Sequence, residues 1–230
     1  MKKAFLLLSV LGAMTLTGCN FIKFNSTGDF MMVRGSENVI TKTLDLGEFN
    51  ALSMSISADV VYSEVTEAST VVVSAPDNLF EYFDFCVEDG TLKLRYDKNA
   101  NIIHDRDVII TVTGPTLKKV TLAGSGDFRA LAPITASTFV GAISGSGDMS
   151  FAGITAGEAN FSIGGSGNLK ATGLDCGDLT AAIAGSGDMV LAGKADTATI
   201  AIAGSGDVDI RSLTANDVKT SVAGSGDIRR

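Results

Sequence analysis

The stretch Phe139-Val140-Gly141-Ala142-Ile143-Ser144-Gly145-Ser146-Gly147-Asp148-Met149-Ser150-Phe151 decides the fold. Its central tetrapeptide, Gly-Ser-Gly-Asp, recurs at Gly124–Asp127, Gly185–Asp188, Gly204–Asp207 and Gly224–Asp227, and as Gly165–Asn168 with Asn in the last place. The first glycines of the six copies stand 21, 20, 20, 19 and 20 residues apart. A period of that size marks stacked repeats, each packing only on its neighbours. The flanks alternate. Phe128 and Ala130, Met149 and Phe151, Leu169 and Ala171, Met189 and Leu191, Val208 and Ile210 follow the tetrapeptides. Phe139 and Ile143, Phe161 and Ile163, Leu179 and Ile183, Ile200 and Ile202, Val218 and Val222 precede them. Alternation of period two marks strands with one buried face, and nothing has helical spacing. A lone apolar residue between the strands, as at Ile134, Ile154, Leu174 and Leu213, supplies a third contact with the core.

Aligned turns let equivalent strands stack in parallel at roughly 4.8 Å per rung. The expected fold is therefore all-β, a parallel β-helix or solenoid with rungs of about 20 residues. An antiparallel meander or barrel is the rival, because two strands per repeat also fit hairpins.

The chain before the repeats is a divergent version of them. Ser55-Ile56-Ser57-Ala58-Asp59 lies over Ser144-Gly145-Ser146-Gly147-Asp148, with strands before and after it. Residues 70–75, 79–87, 91–96 and 107–113 are also strand-like, and Asp89-Gly90 is a hairpin turn. The reading is one domain over 36–230: a capping half at 36–120 and the repeats at 121–230. At the far end the chain reaches Ile228-Arg229-Arg230 just after a turn: the arginines blunt an open edge, another subunit covers it, or the chain is cut short.

The first 18 residues read as a signal peptide: Lys2 and Lys3, an apolar run from Ala4 to Leu16, and small residues before Cys19. Leu16-Thr17-Gly18-Cys19 resembles the bacterial lipobox, which implies acylation of Cys19 and anchoring without a transmembrane helix. Residues 19–35 are then the lipidated cysteine and its tether. Asn20 after the cysteine points to the outer membrane, with the leaflet open. Loss of Lys2 and Lys3, and of no acid, takes the formal charge from −8 to −10.

That acidity excludes nucleic-acid binding, which needs surplus Lys and Arg to displace phosphate counterions. Three cysteines make no disulfide scaffold and no paired metal cluster. Cys86 reads as a buried thiol and Cys176 as a turn residue, with a bridge between them left open.

Stacking places Ser125, Ser146, Ser166, Ser186, Ser205 and Ser225 in one row, and Asp127, Asp148, Asn168, Asp188, Asp207 and Asp227 in another. Neighbouring carboxylates at this spacing repel by about 1 kcal/mol in water and about three to four at an effective dielectric near 20. One compensation is structural: each Asp accepts backbone N–H bonds as an Asx-turn while the glycines take positive φ. The other is calcium between rungs. Asn168 keeps the shape and drops the charge, which favours the structural account. His104, the single histidine, reads as a solvated turn residue, and no Ser/His/Asp set forms around it. Arg129, Lys170 and Lys194 lie near the turns without a shared register. The aromatic run Phe80 to Phe85 is core or cap, and a sugar site would be best placed there.

Phe49 to Val60, Asp89-Gly90-Thr91-Leu92, Gly114-Pro115-Thr116-Leu117-Lys118-Lys119-Val120 and the repeated tetrapeptide together resemble the head GIN domain family of auto-transporter adhesins, over residues 36–230. The resemblance implies a β-helical fold and export, and brings no catalytic residues. The expected function is non-catalytic: a lipid-anchored envelope protein displaying a repetitive polar face to glycan, protein or its own copies through the C-terminal rung. A glycan-processing enzyme and a purely structural module are the alternatives. No cofactor is expected beyond the calcium alternative.

Overall fold

The structure, a computed structural model, describes residues 14–15, 31–65, 69–97, 100–104 and 107–230. The signal peptide, Cys19 and the tether up to Phe30 lie outside the described residues, apart from the Met14–Thr15 backbone.

From Phe128 onward the strands pair in parallel with their equivalents one repeat away. Phe128 lies opposite Met149, and the row continues through Leu169, Met189, Val208 and Ile228. Phe139, Ala159, Leu179, Ala198 and Val218 form a second row. The result is a solenoid of about six turns. The antiparallel rival is overturned for the repeats, where every strand pairing is parallel. Alternation follows from burial: in one rung Met149, Phe151, Ile154, Ala159, Phe161 and Ile163 all point inward and are buried. Phe128, Phe139, Phe151 and Phe161 fill the N-terminal rungs, with ring centroids 5.2 to 6.1 Å apart. Later rungs substitute smaller side chains.

The uneven repeat lengths are absorbed at the corners. The 21-residue copy puts its extra residue at 131–133, where Leu131 is exposed. In the 19-residue copy the register shifts between Ala171 and Leu174, and Gly193 takes the place of Ile134, Ile154 and Leu174 in the corner row. A Cβ on Gly193 would lie 2.2 Å from the Leu174 carbonyl oxygen, so the shortened corner leaves no room for a side chain.

The N-terminal half supplies two more layers and a cap. Ala51–Ser55 and Asp59–Glu64 pair in parallel with Lys119–Leu122 and Phe128–Ala130 on one side. On the other side they pair with Thr91–Tyr96 and Ile109–Gly114. Residues 51–64 thus lie between layers formed later in the chain. Antiparallel strands close the two faces: Thr70–Pro76 and Val39–Asp45 on one, Phe83–Glu88 on the other. The Phe83–Glu88 hairpin turns at Asp89 (φ 50) and Gly90 (φ 69), as its sequence demands.

Two local expectations are corrected. The strand at 79–87 begins only at Phe83, because Asp77–Tyr82 forms a 3-10 turn that carries the chain from one sheet face to the other. Asp77 pins that turn by accepting hydrogen bonds from Ser36 Oγ (2.5 Å) and Asn38 Nδ2 (2.7 Å). Cys176 is not on a turn: it faces the core within the strand Leu169–Ile183. Cys86 is buried as expected, and neither it nor Cys176 is in a disulfide among the described residues. Phe80, Phe83, Phe85 and Tyr96 form the aromatic layer at the capping end, with Phe83 stacked on Phe85 at 4.9 Å. Among the described residues no helix is long and apolar enough to cross a membrane.

Candidate functional site

The repeated tetrapeptides stack into one edge of the solenoid. A Cβ on Gly145, Gly165, Gly185 or Gly204 would stand 2.0 Å from the carbonyl oxygen of the first glycine in the preceding rung. The third positions are as tight: a Cβ on Gly147, Gly167 or Gly187 would stand 1.9 Å from the carbonyl oxygen of the preceding rung's third glycine. The first glycine's carbonyl accepts the serine N–H of the next rung, as from Ser166 to Gly145 at 3.1 Å and from Ser186 to Gly165 at 3.0 Å. Glycine is therefore required by turn-on-turn contact. The expected positive φ is corrected: among these glycines only Gly224 has one, at 153°.

The Asp row is a hydrogen-bonded ladder between rungs. The Asp148 N–H donates to Asp127 Oδ1 at 3.0 Å, and the Asn168 N–H to Asp148 Oδ1 at 2.8 Å. The Asp188 N–H donates to Asn168 Oδ1 at 2.9 Å, Asp207 to Asp188 at 2.8 Å, and Asp227 to Asp207 at 2.9 Å. The Asx-turn is thus replaced by a bond to the next rung. Only Asp227, in the last rung, turns its carboxylate onto the following N–H, that of Ile228. Asn168 does the same work through its amide oxygen and donates its Nδ2 to Asp148 Oδ1 at 3.1 Å. Asp127 Oδ2 faces Arg129 at 3.5 Å, and Asp207 Oδ2 faces Arg229 at 2.6 Å. The serines all lie exposed beside this ladder, and their hydroxyls make no hydrogen bond among the described residues.

Alongside runs a shallow groove of about 430 Å³, walled by Asp127, Asp148, Asn168 and Asp188 on one side and Arg129, Ser150, Lys170 and Val190 on the other. The structure brings Arg129 and Lys170 into one outward row, two rungs apart, through Ser150. The sequence carried that signal, since both stand two residues after the tetrapeptide's Asp or Asn. Lys194 belongs elsewhere, opposite Asp175. At the end of the row Arg211 chelates Asp209, whose carboxyl is held down to about 2 mainly by that hydrogen bond.

On the adjoining face a trough of about 540 Å³ runs over small residues such as Ala142, Ser162, Gly164, Ala182 and Ala201. Sequence reading passed over it, because small outward residues carry no local signal. His104 lies apart from both grooves, with Nε2 2.9 Å from the Ser57 carbonyl oxygen. Cys176 Sγ donates to the Lys194 carbonyl, and burial pushes its pKa up, helped by Asp175 and Asp196. Among the described residues no three His, Cys, Asp or Glu side chains gather to hold a metal ion.

The family model described as "Putative auto-transporter adhesin, head GIN domain" matches residues 48–174 and again 142–229. No curated protein matches. Among solved structures, a putative adhesin from Parabacteroides distasonis ATCC 8503 superposes with a TM-score of 0.81 at 23% identity, covering 85% of this chain and 83% of that one. A putative adhesin from Bacteroides fragilis NCTC 9343 gives 0.71 at 22% identity, over 86% and 99%. A putative lipid binding protein from Parabacteroides distasonis ATCC 8503 gives 0.71 at 21%, over 86% and 99%. At these identities the likeness is one of fold.

Proposed function

We propose, because this chain belongs to the putative auto-transporter adhesin, head GIN domain family, that it is an exported, non-catalytic adhesion module held at the bacterial envelope by a lipid on Cys19. The contact surface is the tetrapeptide edge. One observation carries the reading: six serines and their neighbouring carboxylates or amide stand in register on an exposed edge, beside a groove that also presents Arg129 and Lys170. An extended polar polymer with its own repeat, a glycan above all, meets the same donors and acceptors at each rung. Weak contacts then add along the row by avidity. Calcium between Oδ2 atoms would be a variant of the same surface. The ladder supports the calcium-free form, since Oδ1 already has a partner in every rung.

The test is a glycan array probed with the protein and with a Ser146→Ala/Ser166→Ala/Lys170→Ala variant. These side chains are exposed, so the fold should survive their truncation. Binding to a class of glycan that the variant loses supports the reading. Equal binding by both proteins moves the site elsewhere, and no binding by either refutes glycan adhesion.

A further inference from the structure

We infer that the two-stranded ribbon Met31–Arg34/Ala100–Ile103 rests against the bilayer that holds Cys19, so that the solenoid is carried on its capping end; this depends on the anchor proposed above. The two strands pair in parallel, Met32 opposite Asn101 and Arg34 opposite Ile103, which gives the ribbon two unlike faces. Val33 is buried against the core with Ile102 packed beside it, so the inner face closes the capping end. The outer face carries Met32 and Ile103, 69% and 41% exposed, with Met32 the most exposed large apolar side chain among the described residues. Met32 and Ile103 stand diagonally across the strand pair on that one face, so their exposed apolar surface falls in one patch.

The occupant follows from the chain. Eleven residues, Asn20 to Phe30, separate Cys19 from Met31, a reach of at most about 40 Å when fully extended. A lipid at Cys19 therefore holds this ribbon within that distance of the membrane, and Met32 is the first exposed large apolar residue after the tether among the described residues. By composition the linker suits a membrane interface: it carries Phe21, Ile22, Phe24 and Phe30 against one Lys and one Asp. Arg34 shares the outer face. The mature protein's formal charge of −10 opposes electrostatic attachment of its surface as a whole to anionic lipid.

The test uses the acylated full-length protein in phosphatidylcholine/phosphatidylglycerol vesicles containing brominated lipid. A fluorophore is placed on Asn101→Cys or, as a control on the repeat edge, on Ser186→Cys; both sites are exposed, and native Cys86 and Cys176 are buried. Flotation with the vesicles reports the anchor, and quenching reports the contact. The expected result is flotation of both proteins, quenching several-fold stronger at position 101, and loss of that excess in a Met32→Asp/Ile103→Asp background that still floats. Flotation with equal quenching at the two positions overturns the inference alone. Failure to float overturns the anchor, and this inference with it.

Discussion

Gly164 and Gly165 are neighbours in sequence, yet replacing each by alanine should move stability in opposite directions. A Cβ on Gly165 would stand 2.0 Å from Gly145 O and 3.0 Å from the carbon of that carbonyl. Both are backbone atoms, and neither can rotate aside. That oxygen also accepts the N–H groups of Ser166 and Gly167, at 3.1 and 3.4 Å. Opening the rungs enough to admit the methyl breaks those bonds. Overpacking of this kind costs about 1–3 kcal/mol, and each of the two lost hydrogen bonds about 0.5–1.5 kcal/mol, so Gly165→Ala should cost about 2–6 kcal/mol. A Cβ on Gly164 meets only Ile143 O, at 3.8 Å, and the equivalent positions are Ser144 and Ala184. There the lost backbone freedom is that of the unfolded chain, and Gly164→Ala should stabilise by about 0.4–1 kcal/mol. Urea unfolding measures both, as shifts in midpoint at unchanged slope. Destabilisation of less than about 1 kcal/mol by Gly165→Ala, below even the overpacking cost alone, would refute the close-approach account of the tetrapeptide.

The ladder makes a second contrast. Asp148→Asn keeps the Oδ1 acceptor, as Asn168 does naturally, and should leave the thermal midpoint near the parent's. Asp148→Ala strips the acceptor from the Asn168 N–H and Nδ2 and should cost about 1–2 kcal/mol in the same scan. Millimolar calcium should leave the midpoint where chelator leaves it; a large upward shift would make the row a metal site. Acid should weaken the fold between about pH 4.5 and 2. Hydrogen bonds from Lys93 to Glu88 and from Arg211 to Asp209 hold both carboxyls down to about 2, below their ordinary 4.5 and 3.8. Groups with a depressed folded pKa give stability that is present above the unfolded pKa and lost as pH falls through the folded one. Glu88→Gln should flatten that part of the stability curve, and an unchanged curve would count against the pairing with Lys93.

Sequence reached the solenoid because its two periods are explicit: about 20 residues between tetrapeptides and two within each strand. It also reached the overlay of Ser55–Asp59 on the repeats, which the structure shows as Val60 paired with Phe128 one residue beyond it. What it missed is contact between rungs. The glycines appeared to serve φ because turn chemistry is usually read along one chain segment, whereas their constraint comes from a carbonyl about 20 residues earlier. Asp127 to Asp227 appeared to close local turns for the same reason. Cys176 appeared to lie on a turn because Asp-Cys-Gly-Asp resembles one, though Leu174 and Leu179 on either side are buried with it. The 3-10 turn at Asp77–Tyr82 was hidden by apolar residues that suit a strand equally well.

The glycine constraint also has a direction, and that direction separates what the fold requires on this edge from what it does not. The missing Cβ on Gly124 and Gly126 points at Ile56 O and Ala58 O, 2.3 and 2.0 Å away. Ile56 and Ala58 occupy the same two positions one rung earlier, yet they carry side chains, both buried. Beneath them no tetrapeptide follows: the Asp59 N–H meets the Val108 carbonyl, and His104 reaches Ser57. Glycine is thus demanded only where another tight turn lies on the N-terminal side. The aspartates are accounted for in turn by the ladder, for which asparagine serves as well. Serine is demanded by neither. Its side chain is exposed and holds no hydrogen bond among the described residues, yet it fills the second position in all six copies. A row that stacking does not require, kept in register by stacking, is the part of the edge whose chemistry is directed outward.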